Sequence, residues 1–247
     1  MLIETNLLII FLCILPIISF LYASVGHGGA SGYLALMAIF SLPNEMMKQT
    51  ALLLNLFVAG ISFYHYYKAR HFKKQLFIPF ALGSVPAAFI GGTFNLEPTI
   101  YKKILGVLLI FAIIRMLWKK NKNQKEIQSI NTTQAVLVGI AVGFFSGLIG
   151  IGGGIILTPL ILLLHWGNMK EAAAVSALFI WVNSAAGLLG QFGSGITLVP
   201  ISAIIVIIAV LGGLAGSYLG SKKWNNTFLE YFLAFVLSTA SIKLLFF

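Results

Sequence analysis

His27 is the only ionisable side chain inside either of two glycine clusters, Gly26-His27-Gly28-Gly29 and Gly150-Ile151-Gly152-Gly153-Gly154. Its imidazole titrates near neutral pH, so it could carry a proton or donate to a bound anion; the plainer alternative is a neutral ring bonded to a nearby carbonyl. The glycines carry chemistry of their own. A helix that starts after a glycine break leaves N–H groups unsatisfied and turns the positive end of its dipole toward the break. Two such starts, near residues 28–32 and 152–156, would cradle an anion on backbone amides, with no membrane-embedded Arg or Lys needed. Glycine also permits the turn itself and the close approach of backbone to ligand.

Ser24, Ser31, Ser146, Thr158, Ser176, Asn55, Asn183 and Gln191 carry hydroxyl and amide groups that either serve an oxyanion or bond across helices. Asn55 and Asn183 are favoured for binding, because each lies on the helix that follows its glycine break, about 25 to 30 residues on. The candidate substrate-binding set is therefore Gly26, His27, Gly28, Gly29, Ser31 and Asn55 in the first half. Gly150, Gly152, Gly153, Gly154, Thr158, Ser176 and Asn183 complete it in the second.

Other chemistries lack their residues. There is no Asp, and Glu4, Glu45, Glu97, Glu126, Glu171 and Glu230 fall in loops or near segment ends, which counts against a cation site or a carboxylate relay in mid-membrane. No paired acids, metal-ligand spacing or nucleophile triad marks an enzyme. Gly152-Gly153-Gly154 is not followed by the Gly-Lys-Ser/Thr of a phosphate loop, so the chain by itself is no ATP-driven pump. The single cysteine, Cys13, excludes an intramolecular disulfide and a cysteine-based metal cluster. No cofactor is implied.

The elements that must position these residues are transmembrane helices. Over 247 residues, 59% are apolar and 9% charged, and the mean hydropathy is +0.99, values no water-soluble globule shows. Apolar runs near the ~20 residues that span a bilayer recur at 7–24, 46–67, 76–94, 101–118, 132–149, 172–190, 199–221 and 228–245. The strict alternation of a barrel is absent. Met1-Leu2-Ile3-Glu4 lacks a basic leader region and no small-residue cleavage site follows, so the first run is expected to stay as a helix. Tyr64, Tyr66, Tyr67, Trp118, Trp166, Trp224 and Tyr231 at segment ends read as interfacial anchors, and His65, His71 and His165 also suit interfaces.

The glycine clusters lie about 124 residues apart, half the chain, which marks a duplication. Irregular backbone survives in a bilayer only where protein or a cavity surrounds it, so matched breaks in two halves point to a transporter's binding site. Leu42-Pro43-Asn44 and Trp166-Gly167-Asn168 follow the breaks at the same distance. The organisation expected is a first transmembrane repeat over 1–118, a basic cytoplasmic linker over 119–131 and a second repeat over 132–247.

The segments 30–41 and 154–165 are too short to cross alone, so each either turns back or completes a kinked crossing. The formal charge of +10 comes from basic residues at segment ends, not from a folded basic face, so it sets topology and does not imply nucleic acid. Turning back makes the halves mutually inverted and puts 12 of 16 basic residues in the cytoplasm; kinked crossings put 10 there. The expected fold is thus an all-α polytopic membrane protein of two inverted repeats, each a glycine-broken re-entrant hairpin plus three transmembrane helices, with both termini outside.

Ser146-Gly147-Leu148-Ile149-Gly150-Ile151-Gly152-Gly153-Gly154, then Thr158-Pro159 and Ala173-Ala174-Val175-Ser176, resembles the TauE/SafE family of membrane permeases. Val25-Gly26-His27-Gly28-Gly29 followed by Asn55 is a first-half copy of the pattern, and the likeness runs over nearly the whole chain. The resemblance implies transport, usually export, of sulfite or small organosulfur anions such as sulfonates across the inner or plasma membrane. Alternating access around the breaks is the expected mechanism; a passive anion channel or a carrier of another small anion stays open. Besides the anion, the partners expected are membrane lipid and, as an open option, a second copy of the chain.

Overall fold

Residues in a bilayer satisfy their backbone within a helix or not at all, and the apolar runs fold accordingly. The computed structural model describes residues 5–40, 42, 44–94, 103, 107, 110, 114, 127–193 and 203–246. Within them the helices are α1 (Thr5–Ser24), α2 (Ala30–Ile39), α3 (Asn44–Lys68), α4 (Lys74–Thr93), α5 (Thr132–Ile149), α6 (Gly154–Leu163), α7 (Met169–Gly193), α8 (Ala203–Tyr218) and α9 (Asn226–Phe246). A π-helical turn, Leu219–Lys223, extends α8. Of these, α3, α4, α5, α7 and α8 are long and apolar enough to cross a membrane. The expected run 101–118 lies outside the described residues except at 103, 107, 110 and 114, which are helical, and most of the linker 119–131 lies outside them too.

The short segments turn back. Tyr22 of α1 meets Ser31 of α2 at 2.9 Å, Ser19 meets Tyr33 at 2.6 Å, and the Phe11 and Phe40 rings stand 5.6 Å apart. Partners that move up α2 as they move down α1 define an antiparallel hairpin. In the second half α6 also runs back toward the start of α5. A Cβ on Gly153 would lie 3.3 Å from that of Ser146, while Gln128 N–H, before α5, donates to the His165 carbonyl, after α6, at 2.8 Å.

Two parallel helix pairs close on glycine. On α5, Gly139, Gly143 and Gly147 lie against the carbonyls of Phe80, Ser84 and Ala88 of α4; Gly212 and Gly216 of α8 and Gly220 of its π-helical extension lie against those of Pro16, Phe20 and Ser24 of α1. Helices this close exchange Cα–H···O contacts and dispersion, the main adhesive available in lipid. A Cβ at any of the six would meet backbone, which cannot step aside. α3 and α7 cross between these pairs, α4 packing on α7 through Gly92 and Gly190, and α8 on α3 through Gly213 and Val58.

Polar caps fix the helix ends. Asn131 accepts from Gln134 N–H at 3.1 Å to start α5. Asn168 and Glu171 exchange backbone-to-side-chain bonds of 3.1 and 3.0 Å to start α7, a capping box, and Glu171 also pairs with Lys73 at 3.4 Å. Two expected interfacial anchors are instead interior: Trp166 is buried, and buried Tyr66 donates its hydroxyl to the Ser24 carbonyl at 2.6 Å. A tyrosine at a helix end that finds a carbonyl gains more by packing inward than by sitting at the headgroups. Half-buried His65 and His71 bond Ser217 at 2.7 Å and the Ser221 carbonyl at 3.1 Å.

Candidate functional site

Each break begins with a helix cap that only glycine makes cheaply. Gly26 has φ +79°; its N–H donates to Ala23 O at 3.1 Å and His27 N–H donates to Tyr22 O at 2.9 Å, the paired bonds of a Schellman cap. Gly150 has φ +83°, and its N–H donates to Ser146 O at 2.7 Å, the simpler left-handed cap. Gly26 also abuts the Ala173 backbone, and Gly150 abuts the Lys48 side chain.

The two breaks meet at Asn55, near the middle of α3 and fully buried. Its Oδ1 accepts the Ala30 N–H at the start of α2, 3.2 Å away. Its Nδ2 donates to the Ile151 carbonyl at 3.3 Å and to Ser184 Oγ of α7 at 3.2 Å. Gly28 and Gly152 make room for it: a Cβ on either would collide with the carboxamide, and one on Gly152 would also come within 2.6 Å of Ile180 Cγ2. An unpaired buried polar group costs about 1–3 kcal/mol, so Asn55 fixes both breaks at once.

A second chain also joins the halves. His27 Nδ1–H donates to the Val25 carbonyl at 3.1 Å, and Nε2 lies 3.4 Å from Thr158 Oγ1 on α6. Thr158 is 2.7 Å from Ser176 Oγ on α7, and the Ser176 carbonyl borders Gly154. All three side chains are buried.

The start of α6 is differently furnished from that of α2. Gly153, φ +77°, is its N-cap and brings no side-chain hydrogen bond. Beside it, buried Ser146 Oγ has no partner. Asn183 lies one position before Ser184 on α7; its Nδ2 donates to Phe179 O at 2.8 Å, leaving Oδ1 unpartnered and buried.

Of the residues expected from sequence, Gly28, Asn55 and Gly152 converge at one junction and His27, Thr158 and Ser176 at the next, with Gly153 capping α6 and Gly154 beginning it. Gly26 and Gly150 end the preceding helices. Gly29, φ +95°, packs under the Tyr33 ring. Ser31 turns to Tyr22 within the first hairpin, and Asn183 to its own helix. Sequence reasoning missed Ser184, which holds Asn55, and Lys48, whose Nζ donates to Phe94 O at 3.1 Å and Gly92 O at 3.4 Å. Ser184 stands beside Asn183 in the sequence, but only the packing of α3 on α7 brings it to Asn55.

The profile of the family described as Sulfite exporter TauE/SafE matches residues 10–244. A protein named probable membrane transporter protein in Sinorhizobium fredii is 33% identical over 233 residues, covering 93% of this chain and 94% of its own. One of that name in Haemophilus influenzae is 29% identical, covering 86% of each chain. A third, from Bacillus subtilis, is 26% identical over 89% of this chain and 92% of its own. No solved structure matches the chain.

Proposed function

The chain belongs to the TauE/SafE sulfite exporter family of multi-pass membrane transporters, not enzymes, and from that premise we propose that it carries sulfite or a small organosulfur anion between its two glycine breaks. The observation that carries this reading is the Asn55 junction, which ties the start of α2 to the second break in the middle of the bundle. The donors for the anion's oxygens are the first-turn amides of α6, free of a side-chain cap, and the unpartnered Ser146 hydroxyl beside them. Such a helix start favours an oxyanion through both its N–H groups and its dipole.

Transport proceeds by alternating access, one half rocking against the other about the breaks. Support comes from the pairing of elements: the α1–α2 hairpin and the α5–α6 hairpin correspond, as do the α1–α8 and α5–α4 glycine seams. That correspondence is what inverted repeats produce. Rocking must remake the two cross-ties, Asn55 to Ile151 and His27 to Thr158, since each joins one half to the other.

The test is counterflow of labelled sulfite into liposomes holding the purified protein, competed by unlabelled sulfite, sulfate, thiosulfate, sulfonates and carboxylates. Accumulation competed by sulfite or sulfonates is the expected result. Uncompeted leak would mean a channel, and competition by carboxylates alone a different substrate.

A further inference from the structure

The hydrogen bonds around His27 admit two directions, and the direction is set by one proton. The Val25 carbonyl can only accept, so His27 Nδ1 carries hydrogen in either state. When the ring is neutral, Nε2 is an acceptor: the Thr158 hydroxyl donates to it, and the Ser176 hydroxyl donates to Thr158 Oγ1. When the ring is protonated, Nε2–H donates to Thr158 Oγ1 and the Thr158 hydroxyl donates to Ser176 Oγ. The hydrogen on Ser176 is then free for another acceptor. The structure holds the Thr158 hydroxyl donating to Ser176 Oγ at 2.7 Å, the direction of the protonated ring; the neutral ring requires the Ser176 hydroxyl to turn and donate back, and the 3.4 Å His27–Thr158 separation serves either.

Resting on the anion-carrier reading, we propose that His27, Thr158 and Ser176 form a hydroxyl relay that couples one proton to each transported anion. A proton from water on the open side adds to Nε2. The relay reverses, and the freed Ser176 O–H is presented to the anion at the start of α6, where the Ser176 backbone borders Gly154. On the other side the anion leaves, the proton returns to water from Nε2, and the relay resets. No other bond is made or broken, and the added positive charge offsets one negative charge of the cargo. Because His27 belongs to the first half and its two partners to the second, the rocking motion opens the relay at the His27–Thr158 link.

Few other groups compete for this role. Among the described side chains of the hairpin and of α3, the ionisable ones that lie inside are Tyr22, Tyr33 and Tyr66, and their hydroxyls are engaged with Ser31, Ser19 and the Ser24 carbonyl. α6 carries no charged residue. On α7, Lys170 and Glu171 stand in the first turn, Glu171 held in the capping box and by Lys73. Lys48, His65 and Lys68 stand toward the two ends of α3.

The experiment measures protons taken up per sulfite in proteoliposomes, with a trapped pH dye and labelled sulfite, for wild type, His27→Gln, Thr158→Val and Thr158→Ser. Sulfite brings protons of its own, which cancel between proteins. In whatever flux remains, the ratio falls by one proton in His27→Gln and Thr158→Val, and Thr158→Ser restores it. An unchanged ratio in both overturns the relay while leaving the carrier intact. In parallel, nitrogen NMR of histidine-labelled protein, assigned by loss of signal in His27→Gln, follows the ring between about pH 3 and 8, a range wide enough for a buried imidazole. The relay requires hydrogen on Nδ1 in the neutral form and a titration midpoint that moves in Thr158→Val; an unmoved midpoint overturns it even if no variant transports. Folded wild type that moves no sulfite overturns the substrate reading, and the NMR titration then judges the relay by itself.

Discussion

The Asn55 carboxamide donates to the carbonyl of Ile151, 96 residues further along the chain, across 3.3 Å, and so reaches the second helix break from the helix that follows the first. With its other atom it caps α2 at Ala30, so one neutral side chain sets the spacing of the two breaks. Charge-free fixing of this kind suits the anion site proposed above, which must attract its cargo and still release it.

Asn55→Asp keeps the acceptor for Ala30 N–H and removes the donor to Ile151 and Ser184, placing a carboxylate against a carbonyl. The unpaired groups and the buried carboxylate left behind should cost more than the ~1–3 kcal/mol of a neutral unpaired group, and the added negative charge should abolish anion uptake. Thermal unfolding in detergent and sulfite counterflow measure the two effects; wild-type uptake would show that Asn55 does not border the anion.

Ser146→Ala removes an unpartnered hydroxyl, so its effect should fall on binding and not on folding. The account expects an unchanged melting temperature and sulfite affinity about tenfold weaker, the size of one hydrogen bond to a charged group. Equal affinity would remove Ser146 from the site.

The glycines separate into two kinds by what their Cβ would meet. Gly143→Leu drives a side chain into the Ser84 backbone in the α4–α5 seam, and should leave little folded protein in the membrane. Expression and monodispersity report this directly. Folded, active Gly143→Leu would mean that the seam opens at low cost.

His71, in the α3–α4 connection, is held below its ordinary 6.5 chiefly by burial; the Ser221 carbonyl opposes this, Lys170 adds to it and Glu171 opposes it. A folded-state pKa below the unfolded one means that the unfolded chain takes up the proton first as pH falls. The neutral ring's contribution is therefore complete above about pH 6.5 and is lost below it. Melting temperature should drop between about pH 7.5 and 5.5 in wild type and drop less in His71→Gln. Parallel slopes would assign the pH dependence elsewhere.

Much of the fold was legible because a bilayer translates apolar run length directly into helices, as the ends of α1, α4 and α5 show against 7–24, 76–94 and 132–149. The glycine caps were legible for the same reason: Gly26 and Gly150 stand where an αL residue is needed. Whether the short segments turn back was not, since the charge count separated the alternatives only as 12 against 10 of 16 basic residues. That choice is carried by tertiary pairs such as Ser19 with Tyr33, which no local pattern encodes. The register of α3 on α7 was equally hidden. It is fixed by close contacts such as Gly60 against Trp181, and these select Ser184, not Asn183, as the partner of Asn55. Tyr66 misled because an aromatic at a helix end looks the same whether it faces headgroups or a carbonyl.

The most direct test of an anion held between the breaks is labelled-sulfite counterflow in wild type and in Gly152→Leu, both shown folded by size exclusion and thermal unfolding. Gly152 abuts the side chains of Asn55, Ile180 and Ser184 and has φ +76°, so a leucine there strains the backbone as well as filling the junction, and transport is compared only in protein that passes both folding checks. The account predicts accumulation in wild type and none in Gly152→Leu; wild-type accumulation in the folded variant would contradict it.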